Sequence, residues 1–148
     1  MRDYTKIEAW QLADDLTVAV YEQTRAFPKE ELYSLTNQLR RAAYSTPANI
    51  AEGAARDSKR DYLHFIYIAR GSLAEARYFI HLAGRLGYPA EADATKLTEQ
   101  NRRVFACLQG LIRAVEAESG KLTKLAATLT SLLVVGLSRF AAPSPLWS

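Results

Sequence analysis

Apolar residues recur at three- and four-residue intervals along four stretches of this chain, the pattern of amphipathic helices. In the first, from about Lys6 to Ala26, Ile7, Trp10, Ala13, Leu16, Val20, Tyr21 and Thr24 form a stripe, with Glu8, Asp14, Asp15, Glu22 and Arg25 facing away. Thr5, three residues before Glu8, reads as a capping box. Pro28 ends this helix, because the residue before a proline avoids helical angles. The segment PKEELYS that follows is expected to form a short helical turn.

The second helix opens at Leu35, where Thr36 can cap it. Its stripe of Leu39, Ala42, Ala43, Thr46, Asn49, Ile50 and Gly53 has few large members and many small ones, so another backbone can approach closely. Pro47 lacks the amide that would bond the carbonyl of Ala43, so a kink is predicted there. Asp57 or Ser58 caps a third helix that should run to about Leu86 and stop at Gly87. Tyr62, Phe65, Ile66, Ala69, Ser72, Leu73, Ala76, Phe79, Ile80 and Ala83 line its inner side. The fourth helix spans about Glu91 to Glu118, with Leu97, Asn101, Val104, Leu108, Leu111, Ile112 and Val115 inward. Long amphipathic helices joined by short connections predict an all-α, antiparallel up-down-up-down four-helix bundle over residues 1–118. The central faces of helices two and three carry polar groups, Asn49, Glu52, Ser72 and Glu75, expected to form a structural seam in which each finds a partner.

Several motifs stand in order along these helices: Phe27-Pro28-x-x-Glu31, Leu35-Thr36-x-Gln38-Leu39-Arg40-Arg41-Ala42, Ser45-x-Pro47-Ala48-Asn49-Ile50-Ala51-Glu52-Gly53 and Ala69-x-Gly71-Ser72-Leu73-x-Glu75. From about Tyr4 to Glu118 the chain resembles the four-helix-bundle family of 23S ribosomal RNA intervening-sequence proteins. The resemblance implies an antiparallel four-helix bundle assembling into a homopentamer, with no known enzymatic activity. Residues 119–148 lie outside it. That tail holds an apolar run, Leu125 to Leu137, interrupted by three hydroxyls. Its thirteen residues fall short of a membrane span, which needs about 20. Three readings of it stay open: a fifth helix, an interface contact, or irregular chain ahead of Pro143 and Pro145.

Composition bounds the rest. With 148 residues, 49% of them hydrophobic, the chain suffices for one domain with a core. The N-terminus, MRDYTKIEAW, places charges where a secretory signal needs apolar residues, so a cytoplasmic location is expected. The net charge of +3 is not spread evenly. All sixteen acidic residues, and every basic one except Lys121, Lys124 and Arg139, lie within residues 1–118, which are therefore neutral. A neutral body binds phosphate only through a local patch. The candidate patch is the flank of Arg40, Arg41, Arg56, Lys59 and Arg60, opposed by Glu52 and Asp57. Tyr44 and Tyr62 stand near it as surfaces on which bases could stack. The competing reading pairs these arginines with acids such as Glu52 across a subunit seam.

Catalytic and metal chemistry find little support. His64 and His81 are seventeen residues apart on one helix, roughly five turns, and cannot share an ion. Cys107 sits on an apolar face without a local histidine. Phosphate-loop and dinucleotide fingerprints are absent from the sequence. Glu52 and Glu75 as an acid–base pair is a remote option beside their reading as hydrogen-bond acceptors. The expectation is a non-enzyme with no cofactor and no metal. Apolar residues off the main stripes, Leu12, Val18, Tyr67, Ile68 and Tyr78, point to a partner surface. Two functions follow: a ring-forming bundle that binds RNA or DNA, or a protein–protein adaptor or structural ring with no nucleic-acid role.

Overall fold

The computed structural model describes residues 2–140, with side chains through residue 118. It contains four α-helices: α1 (Glu8–Gln23), α2 (Leu35–Ala54), α3 (Lys59–Arg85) and α4 (Glu91–Phe140). Among the described residues there is no strand. The chain divides into two compact units, residues 1–113 and 114–148. In the second unit the backbone remains helical to Phe140, so the apolar run beyond Gly120 continues α4 and does not form a separate fifth helix. Pro143 and Pro145 fall outside the described residues.

The starts of the first two helices are set by residues other than those the sequence pattern nominates, whereas α3 is capped by Ser58 and stopped at Gly87 as expected. Asp3, not Thr5, does the capping near the N-terminus: its carboxylate accepts from the Thr5 amide at 3.1 Å and starts a short 3-10 helix, Tyr4–Lys6. Helix α1 then begins at Glu8 with Ile7 as an N-cap that makes no side-chain bond. Phe27 takes an extended backbone before Pro28, and PKEELYS contributes a 3-10 turn at Lys29–Glu31. Thr36 lies inside α2, fully buried, and its hydroxyl makes no hydrogen bond. The α2 N-terminus is served instead by Glu31, whose Oε2 accepts from the Leu35 amide at 3.2 Å and from the Ser34 hydroxyl. Its Oε1 accepts from Tyr88 Oη at 2.9 Å, and Phe27 packs on the Tyr88 ring at 5.6 Å. The Phe-Pro-x-x-Glu motif therefore ties the α1–α2 connection to the turn that follows α3. Ser58 caps α3 by accepting from the Asp61 amide at 3.0 Å. Gly87, at φ 71°, ends that helix in the left-handed region that glycine adopts without a Cβ clash.

Helix α2 packs against both α1 and α3. Its buried face is Leu35, Leu39, Ala42, Ala43, Thr46, Pro47, Ile50, Gly53 and Ala54. Helix α3 buries Tyr62, Ile66, Ala69, Leu73, Ala76 and Ile80. The approach is close at Gly53, where an added Cβ would stand 2.9 Å from Phe65 Cβ and 3.1 Å from the Tyr62 ring. Helix α1 adds Ala9, Ala13, Leu16 and Val20, and α4 adds Leu97, Val104, Leu108 and Ile112. Tyr21, expected in the core, is 40% exposed. Asn101 is buried and donates to the Leu73 carbonyl at 3.0 Å, so its buried amide finds the hydrogen bond it requires on α3.

Pro47 lies within an unbroken α2. The carbonyl it leaves without an intrahelical donor, that of Ala43, accepts from the Thr17 hydroxyl of α1 at 3.1 Å. Thr17 also reaches the Ala13 carbonyl of its own helix at 2.8 Å, so one hydroxyl is shared between the two acceptors.

Candidate nucleic-acid interface

The five cations singled out in the sequence separate into two groups. Arg40 and Arg41 stand in the first half of α2, whereas Arg56, Lys59 and Arg60 cluster at the α2–α3 turn. Arg41 and Arg56 are fifteen positions apart along mostly helical chain, which at 1.5 Å per residue is about 20 Å. They do not make one continuous patch on a single protomer.

At the α2–α3 turn the tertiary structure adds a cation that no local pattern reveals. Arg2 donates its backbone amide to the Ala54 carbonyl at 3.0 Å and a guanidinium N–H to the Arg56 carbonyl at 3.4 Å. A cation at the end of α2 complements the partial negative charge of the last carbonyls. The Arg2 guanidinium also lies 4.4 Å above the Tyr62 ring. Tyr62 is only 2% exposed, so the stacking role considered for it has no accessible ring. Burial, partly offset by the positive charge of Arg2, holds the Tyr62 phenol above its ordinary pKa. Arg56 pairs with Glu52 one turn back and lies 4.6 Å over the Phe65 ring. Both partners of that pair are about half exposed, so it is a screened surface pair that an incoming phosphate can replace. Arg60 is exposed and makes no ion pair among the described residues.

The other end of α2 is different. Arg40 is half-buried and donates from Nε to the Thr24 hydroxyl at 2.8 Å, while its guanidinium lies 4.9 Å over the Tyr21 ring. Arg41 is exposed and lines a groove of about 260 Å³ with Gln38, Ala42, Ser45, Ser72 and Glu75. The four seam residues part company around this groove. Ser45 and Ser72 share a hydrogen bond at 2.9 Å, and Asn49 donates to the Ser45 carbonyl at 2.7 Å and to its hydroxyl at 3.1 Å. Glu75 is exposed at the groove, whereas Glu52 is exposed near the far end of α2 on Arg56. From Arg41 to Glu52 is about 16 Å along the helix, so the two carboxylates stand at separate places on the α2–α3 contact. Asn49 and Ser72 sit in a small polar seam completed by Ser45, a residue of the quoted segments that was not among the four groups expected in the seam.

Cys107 is half-buried, and its thiol is held above the ordinary value by burial first and then by the Glu8 carboxylate. His64 and His81 are both exposed. Among the described residues no group of three or more His, Cys, Asp and Glu side chains is placed to hold a metal ion. No described helix is long and apolar enough to cross a membrane.

This arrangement of four helices has a counterpart among known families. Residues 5–110 match the family model described as "23S rRNA-intervening sequence protein". The chain belongs to that family. All the segments noted above, from Phe27-Pro28 to Glu75, fall inside the matched range, and they form the Glu31 junction, the Pro47 site and the Ser45–Ser72 seam. No curated protein matches the chain. Among solved structures, a protein of unknown function from the S23 ribosomal protein family of Bacteroides thetaiotaomicron VPI-5482 aligns with a TM-score of 0.65 at 18% identity. The alignment covers 71% of this chain and 95% of that chain, and at this identity it speaks to the fold alone.

Proposed function

We propose that this member of the 23S rRNA-intervening sequence family is a non-catalytic, cytoplasmic, ring-forming protein that binds RNA or DNA through cations repeated around the ring. The observation that carries the reading is the meeting of Arg2 with Arg56 at the α2–α3 turn, beside Lys59 and Arg60 in the first turn of α3, so that four cations stand against the three acids Glu52, Asp57 and Asp61. Cations beside a helix N-terminus suit phosphate oxygens. One such patch on a body whose residues 1–118 carry no net charge binds weakly, and repetition around an assembly multiplies it. Within the protomer we propose an antiparallel up-down-up-down order with a bend at Pro47. Paired contacts support that order: Thr24 with Arg40 and Thr17 with Ala43, Ser45 with Ser72 and Gly53 with Phe65, Gly84 with Ala94 and Leu73 with Asn101. In each set one number rises as the other falls.

Assembly is supported by an exposed stripe on α3. Ile68, Gly71, Glu75 and Tyr78 follow at three- and four-residue spacing, with Ile68 39% and Tyr78 58% exposed. A Cβ placed on Gly71 would have nothing within 4 Å, so this signature glycine has open space above it for a neighbouring helix. The same stripe favours the second reading, an adaptor or structural ring with no nucleic-acid role.

A salt titration separates the two. Labelled structured RNA should bind the full-length protein at low salt and lose affinity steeply as salt rises. Replacing Arg2, Arg56 and Arg60 with Ala should lower the slope of log Kd against log salt by about one for each lost contact, with the molecular mass unchanged. Absence of binding at low salt leaves the adaptor reading.

A further inference from the structure

The α1–α2 side of the molecule holds a second surface that the basic turn does not use. Tyr21, Leu32, Tyr33, Asn37, Arg40 and Tyr44 line an open groove of about 370 Å³. Three of them are tyrosines with unusual exposure for aromatic side chains: Tyr33 86%, Tyr44 47% and Tyr21 40%. Arg40 is not free to swing away. The Thr24 hydroxyl donates to the Val20 carbonyl at 2.8 Å, which leaves its oxygen to accept from Arg40 Nε, also at 2.8 Å, and the guanidinium rests on the Tyr21 ring. Held by one N–H, Arg40 keeps its remaining donors for another acceptor, and among the described residues it makes no ion pair. No carboxylate lines the groove.

We infer that this groove takes an unpaired stretch of nucleic acid, with bases stacking on Tyr33 and Tyr44 and a backbone phosphate on Arg40. The inference rests on the nucleic-acid reading above and assigns the strand state it prefers. The chemistry selects the ligand. Aromatic faces favour a planar π-system, and a preset guanidinium without an acid favours an anion within hydrogen-bond reach. An exposed amide at Asn37 can pair with the edge of a base. A nucleotide in a strand joins all three, whereas in a duplex the base faces are covered by their neighbours. A second copy of this chain docked here would have to bring a carboxylate to Arg40.

The test uses the full-length protein with a short labelled oligouridylate and a labelled RNA duplex of equal length, each titrated at low salt. Tyr33→Ala and Tyr44→Ala should each weaken the single strand by about tenfold and the duplex by no more than about twofold. Tyr33→Phe should keep the wild-type affinity, because its ring remains. Both residues are exposed, so folding is not at stake; circular dichroism checks it. Equal losses on both probes, or none on either, overturn the groove assignment while leaving the basic turn as the binding surface. If the wild-type protein binds neither probe, the nucleic-acid reading fails and this inference with it. A fall in molecular mass with unchanged affinity per protomer would give the groove to a second copy and overturn the assignment.

Discussion

Thr17 shows how one side chain can make a proline tolerable inside a helix. Without its hydroxyl, the Ala43 carbonyl would lose that donor in the α1–α2 contact, a loss of about 1 kcal/mol for a part-buried acceptor. We expect Thr17→Val to lower the unfolding free energy by about 1–2 kcal/mol in urea titrations. In a Pro47→Ala background the same change should cost less than half as much, because alanine at that position restores the intrahelical amide. Equal costs in both backgrounds would refute the linkage. Glu31 acts through its charge as well as its shape. Hydrogen bonds from Ser34 first, then Tyr88 and the Leu35 amide, hold its carboxyl below the ordinary value of 4.5. A depressed folded value means that the stabilisation is present above the unfolded pKa and is lost as pH falls through the folded one. Glu31→Gln should therefore lower Tm at neutral pH, with the difference from wild type shrinking only below about pH 4.5. A difference that stays constant into stronger acid would count against the capping role. Cys107, with its thiol pushed up by burial, should react with alkylating reagents more slowly than a free cysteine at neutral pH.

Helices α2 and α3 meet through small residues, and the two signature glycines behave oppositely within that pairing. Gly53→Ala forces a methyl against Phe65 Cβ and the Tyr62 ring, so overpacking of about 1–3 kcal/mol outweighs a helix-propensity gain of about 1 kcal/mol. Gly71→Ala meets nothing within the protomer and should stabilise the isolated chain by up to about 1 kcal/mol. Thermal or urea unfolding of the two variants checks the contrast, and a stabilised Gly53→Ala would remove the argument for close packing. The sequence pattern located all four helices and most of their buried faces, since a stripe repeats over many residues and errors average out. Helix starts were less legible. Thr5 and Thr36 are good capping residues by type, yet Asp3 and Glu31 make the bonds, because capping depends on the angle at which the chain enters the helix. The continuation of α4 to Phe140 was likewise open, as a short apolar run suits several structures.

For the molecule as a whole, the exposed α3 stripe makes assembly testable apart from ligand binding. Ile68→Lys with Tyr78→Lys should reduce the mass seen by light scattering toward the 16.5 kDa protomer while circular dichroism stays helical. An unchanged mass would move the interface elsewhere. Periodicity alone, reinforced by signature segments, was enough to specify an all-α chain of four helices, because burying a stripe every 3.6 residues has few other solutions. Which polar groups are exposed, paired or joined was decided by packing. Arg2 arrives beside Arg56 across 54 positions, Arg40 turns inward to Thr24, Tyr62 is buried and Tyr21 is not. Such outcomes depend on where two helices touch, and a contact between distant residues leaves no trace in the local order of either.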